Sequence, residues 1–304
     1  MKKIAVFCAA LFMAGLTQAQ NQMTPEAWEQ YLNRAYVTGN AIDVDLWPDG
    51  MPNDNGVVYD KPIIMGKEGT VDVKPGLKVV LPRKSDKPSR AVIICPGGGY
   101  AMLATMHEGM MWNFFFTSEN VATITLSYRL PHGHHEVPAS DVYQAIRIVK
   151  QHAKEWNIDP EQIGVMGSSA GGHLASTVAT HAADDVRPAF QILFYPVITM
   201  DKRYTHMGTH DNLIGQDASP EMEKLYSNEK QVTEKTPRAF IVLADDDTAV
   251  PPINSAWYYA ALKEHGVPAN IHVYPSGGHG FGNSQGWKFN ASMLTDLAEW
   301  LHSF

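Results

Sequence analysis

Gly167-Ser168-Ser169-Ala170-Gly171-Gly172 sets one serine, Ser169, between glycines two residues away on either side. An apolar, strand-like run, Ile163-Gly164-Val165-Met166, leads into it, and a helix-like run from His173 to Ala179 leads out. A serine on such a sharp strand-to-helix turn projects its Oγ clear of the sheet, and flanking glycines let neighbouring backbone pass close by. The position also falls at a helix N-terminus, where the dipole and free N–H groups favour developing negative charge. The chemistry implied is attack by Ser169 on an acyl carbon. Gly-x-Ser-x-Gly alone is equally a glycine-rich helix cap, so its partners decide the reading. Ser168 is out of register and reads as structural.

Pro96-Gly97-Gly98-Gly99-Tyr100 follows another apolar run that ends at Cys95. A glycine loop after an early strand presents backbone N–H groups to a substrate carbonyl, each worth about 3 kcal/mol in the transition state. The donors expected are Gly98, Gly99 and Ala170, with Gly97 as the alternative. A phosphate-binding loop is the competing reading, but no Gly-Lys-Ser/Thr follows, nor a G-x-G-x-x-G with an acid beyond the next strand. Cys95 ends an apolar strand and reads as a small core residue rather than a thiol nucleophile.

A general base and its orienting acid lie further on. His279 sits in Ser276-Gly277-Gly278-His279-Gly280, a glycine-rich loop after a strand that leaves the ring free to swing over the sheet edge. Asp245, Asp246 and Asp247 follow a buried strand, and a carboxylate there can fix the tautomer and orientation of a histidine. Spacing does not choose among the three. The remaining histidines invite a zinc reading, above all His132, His134 and His135. They lack a second ligand cluster at a familiar spacing, so the expectation is a solvent-facing rim loop, with His173, His206 and His210 read the same way. No metal and no cofactor is expected.

These groups need a scaffold that gathers distant stretches of chain. Strand-like runs appear at residues 91–95, 121–126, 163–166, 190–195, 240–243 and 271–274, with helical stretches clearest at 140–156, 255–265 and 291–301. Short runs apolar on both faces, separated by helices, mean a mostly parallel sheet covered on both sides, an α/β fold. Residues 199–235 are polar and read as a small helical insertion above the sheet edge. Residues 70–73 and 77–81 flank Pro75-Gly76 and read as a hairpin. Residues 47–56, rich in Pro, Gly, Asn and Asp, are expected to wrap the surface, and Thr24-Pro25-Glu26 looks like a helix start. One catalytic domain over 70–304 suffices, with 20–69 an extension packing on it.

The first 19 residues read as an address. Lys2 and Lys3 precede an apolar stretch from Ile4 to Leu16, and Thr17-Gln18-Ala19 gives a small-residue cut site, the pattern of a secretory signal peptide. Cleavage would leave Cys95 as the sole cysteine, hence no internal disulfide. It would also leave 22 basic against 32 acidic residues, a net charge of −10 rather than −8. A net acidic chain without a Lys/Arg block has no electrostatic reason to seek nucleic acid or an anionic membrane. A neutral, bulky partner suits it better, in a periplasmic or secreted setting. The sequence carries no signal of oligomeric state.

Taken together, Pro96-Gly97-Gly98-Gly99-Tyr100, Ser127-Tyr128-Arg129-Leu130, the Ser169 segment through His173, Asp247-Thr248-Ala249-Val250-Pro251 and Gly277-Gly278-His279-Gly280 resemble a bacterial carbohydrate esterase of the α/β-hydrolase superfamily. The likeness covers residues 78–304 and lies near the acetylxylan and feruloyl esterase-like lipases. Hormone-sensitive-lipase relatives have His where this chain has Pro96. The resemblance implies an α/β-hydrolase fold and selects Asp247 as the acid, giving Ser169, Asp247 and His279 as catalytic residues. It further implies an acylated oligo- or polysaccharide substrate, such as acetylated or feruloylated plant xylan. An exopeptidase or amidase shares this fold and triad and would cleave dipeptide amides. A silent carbohydrate-binding homologue would have lost a triad position, whereas all three are filled. Tyr100, Trp112, Tyr195, Trp257 and Trp287 could line a pocket, but aromatics at these spacings are more often core.

Overall fold

The computed structural model describes residues 41–59, 63–65 (backbone) and 69–304. The readings of a signal peptide and of a helix start at Thr24 fall outside these. Strands β1 (Ile42–Asp45), β2 (Ile63–Met65), β3 (Gly69–Val71), β4 (Gly76–Val80), β5 (Ser89–Cys95), β6 (Val121–Ser127), β7 (Ile158–Ser168), β8 (Phe190–Phe194), β9 (Arg238–Ala244) and β10 (Ala269–Tyr274) follow one another along the chain. Helices α1 (Asn113–Ser118), α2 (Val137–Trp156), α3 (Ala170–His181), α4 (Met207–Ile214), α5 (Pro220–Leu225), α6 (Ile253–Glu264) and α7 (Asn290–Leu301) are set among them. The main sheet has eight strands in the order β1-β4-β6-β5-β7-β8-β9-β10. Only the β1–β4 and β4–β6 pairs are antiparallel; from β6 to β10 every pair is parallel.

The strands read as unbroken apolar runs because both faces are covered. In β9, Ala239 and Ile241 join one core, while Phe240, Val242 and Ala244 join the other. Side chains alternate across a strand, so a single run feeds two layers. The first layer is closed by α2, α3 and α6 through residues such as Val142, Leu174 and Leu262. The second is closed by α1 and α7 through Phe116, Met293 and Leu297. Helix α2 presents Val142, Ala145, Ile146, Val149, Ala153 and Trp156 at helical spacing and stops at Asn157, whose φ of 54° is left-handed. No described helix is long and apolar enough to cross a membrane.

The hairpin expected around Pro75-Gly76 does not form. Thr70 lies in β3, which pairs with β2, while β4 runs antiparallel between β1 and β6. A Pro-Gly pair reverses the chain but does not choose the partner strand. Burial of alternate residues Leu77 and Val79 drew β4 into the main sheet instead. The chain ahead of residue 70 therefore supplies that sheet's edge strand.

Residues 47–56 are mostly exposed, as their composition suggests, yet they are tied to the core by a buried ion pair. Arg129 Nη2 lies 2.6 Å from Asp141 Oδ1, both side chains fully buried, and the same oxygen accepts the Trp47 indole N–H at 2.8 Å. Arg129 also donates to Asn53 Oδ1. The insertion over 199–235 holds the two short helices α4 and α5 between β8 and β9. Its ends are stitched down by two buried amides. Asn254 Oδ1 accepts the N–H groups of Ile198 and Thr199, and Asn228 donates to His173 O and Ser176 Oγ.

Candidate active site

Parallel pairing sends the loops after β5, β7, β8, β9 and β10 to one edge of the sheet, because Cys95 pairs with Gly167, Ser168 with Phe194, Phe194 with Val242, and Tyr274 with Ala244. Ligand sites of open parallel sheets form outside the carboxyl ends of strands for this reason. The serine, the aspartates, the histidine and the glycine loop, distant in sequence, all emerge there.

Ser169 stands between β7 and α3 with φ 55° and ψ −121°. A non-glycine residue held in such a region costs of order 1–3 kcal/mol, which the surrounding structure must impose. The glycines on either side explain how. A Cβ on Gly167 would stand 1.9 Å from the carbonyl oxygen of Gly171, and one on Gly171 would stand 2.0 Å from that of Cys95. The strand end, the helix start and the neighbouring strand thus meet backbone to backbone, and the serine is forced outward.

His279 Nε2 lies 2.8 Å from Ser169 Oγ, and His279 Nδ1 lies 2.7 Å from Asp247 Oδ2. The other oxygen of Asp247 accepts the N–H groups of Ala249 and Val250, both at 2.9 Å, so this buried carboxylate is fully occupied. The structure also separates the three aspartates. Asp246 Oδ1 accepts the N–H groups of Gly277 and Gly278 and so shapes the loop that carries His279, while the side chain of Asp245 is exposed. The role of Asp246 was not foreseen; only its place beside Asp247 hinted at it.

The glycine loop is fixed through its carbonyls. Pro96 O accepts the Tyr128 hydroxyl at 2.6 Å, Gly97 O accepts Ala104 N–H, Gly98 O accepts Ala101 and Met102 N–H, and Gly99 O accepts the Asn212 amide. Gly97 N–H is also engaged, donating to Glu108 Oε2 at 2.7 Å. That corrects the alternative in which Gly97 served as an oxyanion donor. The N–H groups of Gly98 and Gly99 have no acceptor among the described residues. Ala170 opens α3, where the first amides have no intrahelical acceptor. Gly97 itself is close to Ser169, since a Cβ on it would stand 3.0 Å from Ser169 Cβ.

Beneath the histidine lies Tyr195, which the sequence offered only as a possible pocket aromatic. It is fully buried, with its ring edge-on to His279 at 4.8 Å between centroids. Burial holds its phenol well above the ordinary range, so the hydroxyl stays protonated and donates to Glu108 Oε1 at 2.8 Å. Trp112 is likewise core, its ring tilted against that of Phe194 at 4.8 Å between centroids.

The expectation that His173 and His210 face solvent is overturned, for both are fully buried. His173 is wedged between the Tyr100 hydroxyl at 3.0 Å and the Tyr226 carbonyl at 2.8 Å, and burial lowers its pKa to about 4. The carbonyl fixes the proton on Nε2, so Tyr100 donates to Nδ1 and the pair pins the glycine loop from behind. His132 pairs with Asp72 and His135 with the Tyr226 hydroxyl. Cys95 is a buried core thiol, and burial raises its pKa.

His206, at the start of α4, is half-buried at the mouth of the site. A Cβ on Gly99 would stand 3.6 Å from its ring. Its Nδ1 accepts the Thr209 N–H, which leaves the proton of the neutral ring on Nε2, with no acceptor among the described residues. Burial and nearby His279 lower its pKa, against an opposing pull from Asp247, so the ring is a neutral donor.

An eight-stranded, mostly parallel sheet with a strained serine turn and a histidine loop at its carboxyl edge defines a class. The chain belongs to the alpha/beta hydrolase fold family, whose model matches residues 92–283. Within that class, it is 43% identical over 223 residues to an acetylxylan esterase of Xylanibacter ruminicola, covering 72% of this chain and 46% of that protein. It is 35% identical over 205 residues to endo-1,4-beta-xylanase B of Butyrivibrio fibrisolvens, covering 62% of this chain and 32% of that protein. The chain thus spans less than half the length of each of these relatives. Among solved structures, an acetyl ester-xyloside bifunctional hydrolase from Caldicellulosiruptor lactoaceticus superposes with a TM-score of 0.75 at 32% identity, covering 88% of this chain and 97% of that one.

Proposed function

We propose that the protein is an exported serine carboxylesterase that removes ester substituents, acetyl above all, from xylan or related plant polysaccharide. The observation that carries this reading is the hydrogen-bonded line from Ser169 Oγ through His279 to Asp247, set against a glycine loop whose carbonyls are all tied back. The substrate class draws on the similarity to an acetylxylan esterase and to an acetyl ester-xyloside bifunctional hydrolase. Export draws on the leader pattern of the first 19 residues.

The geometry suits a two-stage acyl transfer. His279 Nε2 takes the Ser169 proton as Oγ bonds to the ester carbon, and Asp247 steadies the imidazolium through Nδ1. Negative charge on the carbonyl oxygen is met by the N–H groups of Gly98, Gly99 and Ala170. As the C–O bond to the sugar breaks, His279 passes the proton to the departing oxygen. Water, deprotonated by the same ring, then attacks the acyl-enzyme, releasing acetate and restoring Ser169. The Nε2–H of His206 at the mouth is a fixed donor suited to a sugar hydroxyl on the leaving side.

The test is acetate release from chemically acetylated xylan by wild-type protein and by Ser169→Ala, with intact mass after a fluorophosphonate probe. Wild-type should release acetate and gain one adduct, while Ser169→Ala should do neither. An active Ser169→Ala variant sinks the assignment. Protein recovered from the native host's periplasm or medium should begin at Gln20; a retained leader refutes export by cleavage.

A further inference from the structure

A carboxylate, Glu108, is buried within 3 Å of two groups that belong to opposite sides of the site. Oε2 accepts the N–H of Gly97 at 2.7 Å, in the glycine loop, and Oε1 accepts the hydroxyl of Tyr195 at 2.8 Å. That hydroxyl in turn accepts the N–H of Gly282 at 3.0 Å, three residues beyond His279, and the Tyr195 ring lies against the His279 ring. The neighbouring residue makes a second clamp, with His107 Nε2 hydrogen-bonded to Gly280 O. Gly282 packs on the His107 ring closely enough that a Cβ would come within 3.0 Å.

We propose that Glu108 is a positioning residue for the reaction: one oxygen holds the oxyanion loop at Gly97, and the other holds Tyr195, which carries the link on to the histidine loop, so that the two loops keep a fixed separation across Ser169. The inference rests on the esterase reading above and adds how the cradle and the base are kept in register. Both oxygens act as acceptors, and this one side chain joins Gly97 directly to Tyr195, whose hydroxyl passes the link to Gly282 in the histidine loop. Engaging Gly97 N–H also turns that peptide away from the substrate, leaving the donors of Gly98 and Gly99 for the oxyanion. A misplacement of about 1 Å can cost about 100-fold in rate, which is why supporting groups that never touch substrate affect turnover.

The isosteric Glu108→Gln variant tests this, because an amide has one acceptor oxygen: if it keeps Gly97 N–H, its NH2 must face the Tyr195 hydroxyl, so one of the two contacts is lost or reversed and the shared charge is removed. Tyr195→Phe tests the same link from the other end, keeping the ring beneath His279 and removing only the hydroxyl. The readout is kcat per active site, with sites titrated by fluorophosphonate so that misfolded protein is not counted. Each variant should lose about 10- to 100-fold in kcat on an aryl acetate with KM within about twofold, and the double variant should be no worse than the poorer single one. A folded Glu108→Gln or Tyr195→Phe with wild-type kcat per titrated site overturns the proposal, as does a double variant in which the two losses multiply. Should Glu108→Gln fail to fold, Tyr195→Phe alone decides. Wild-type protein that hydrolyses no ester at all refutes the esterase reading instead and is distinguished by the control.

Discussion

The Asp247 carboxylate and the His279 imidazole share a 2.7 Å contact whose geometry is fixed from the acid's side, since the second oxygen of Asp247 is held by two backbone amides of its own turn. Asp247→Asn should keep the fold but offer an amide N–H where His279 needs an acceptor, favouring the wrong tautomer. We expect kcat/KM to fall about 10³- to 10⁴-fold with KM little changed. Asp246→Ala, which removes the oxygen that accepts the N–H groups of Gly277 and Gly278, should cost about tenfold. Steady-state kinetics on an aryl acetate separate the two; equal losses would mean the two acids are not differentiated as their contacts indicate.

The backbone of Ser169 makes a second prediction. At φ 55° a side chain of any kind is strained, and glycine is not. Both Ser169→Ala and Ser169→Gly should be inactive, yet the glycine variant should be more stable than the alanine variant by about 1 kcal/mol in urea unfolding. An alanine variant of equal or greater stability would show that the turn carries no strain.

His173 governs acid stability. Its folded pKa of about 4 lies below the ordinary 6.5, so the unfolded chain binds the proton more readily. Above pH 6.5 the residue contributes no pH dependence. As pH falls from 6.5 towards 4, stability is lost progressively, by up to roughly 3 kcal/mol. His173→Gln should therefore be less sensitive to pH over that window, even if weaker at pH 7, because Tyr100 and Tyr226 keep partners while no proton is taken up. Urea midpoints at pH 7, 6 and 5 provide the measurement, and parallel wild-type and variant curves would contradict it.

His206 lies against the glycine loop at Gly99. His206→Ala should leave hydrolysis of a small aryl acetate within about twofold while lowering kcat/KM on acetylated xylo-oligosaccharide by about 5- to 20-fold, the scale of one lost hydrogen bond. Equal effects on both substrates would place His206 in the common machinery rather than in sugar recognition.

Much of this was legible from residue types. The apolar runs that feed two cores stand out because parallel strands are buried on both faces, and Ser169 and His279 stand out because glycines flank them. Asp247 needed the family resemblance, since three adjacent acids look alike until the turn bonds of Ala249 and Val250 separate them. Glu108 was not found and Tyr195 was offered only as a possible pocket aromatic, for their roles depend on a contact between loops that only the folded sheet brings together. The one available signal was an acid within Met106-His107-Glu108-Gly109-Met110-Met111, where apolar neighbours argue for burial. His173 was misjudged because periodicity in a helix buried on all sides gives no polar face to exclude it from.

The stitching of residues 198–200 and 227–228 has an evolutionary reach. Strands β8 and β9 pair directly beneath the insertion, so the sheet is closed whatever length of chain is looped out above it. Asn254 and Asn228 hold the two stems, Asn254 also donates to the Tyr204 carbonyl within the span, and the span meets the glycine loop at Asn212 and the His206 ring. Substitutions within that span can thus reshape what borders the glycine loop while the Ser169–His279–Asp247 line and the strands beneath it stay in place.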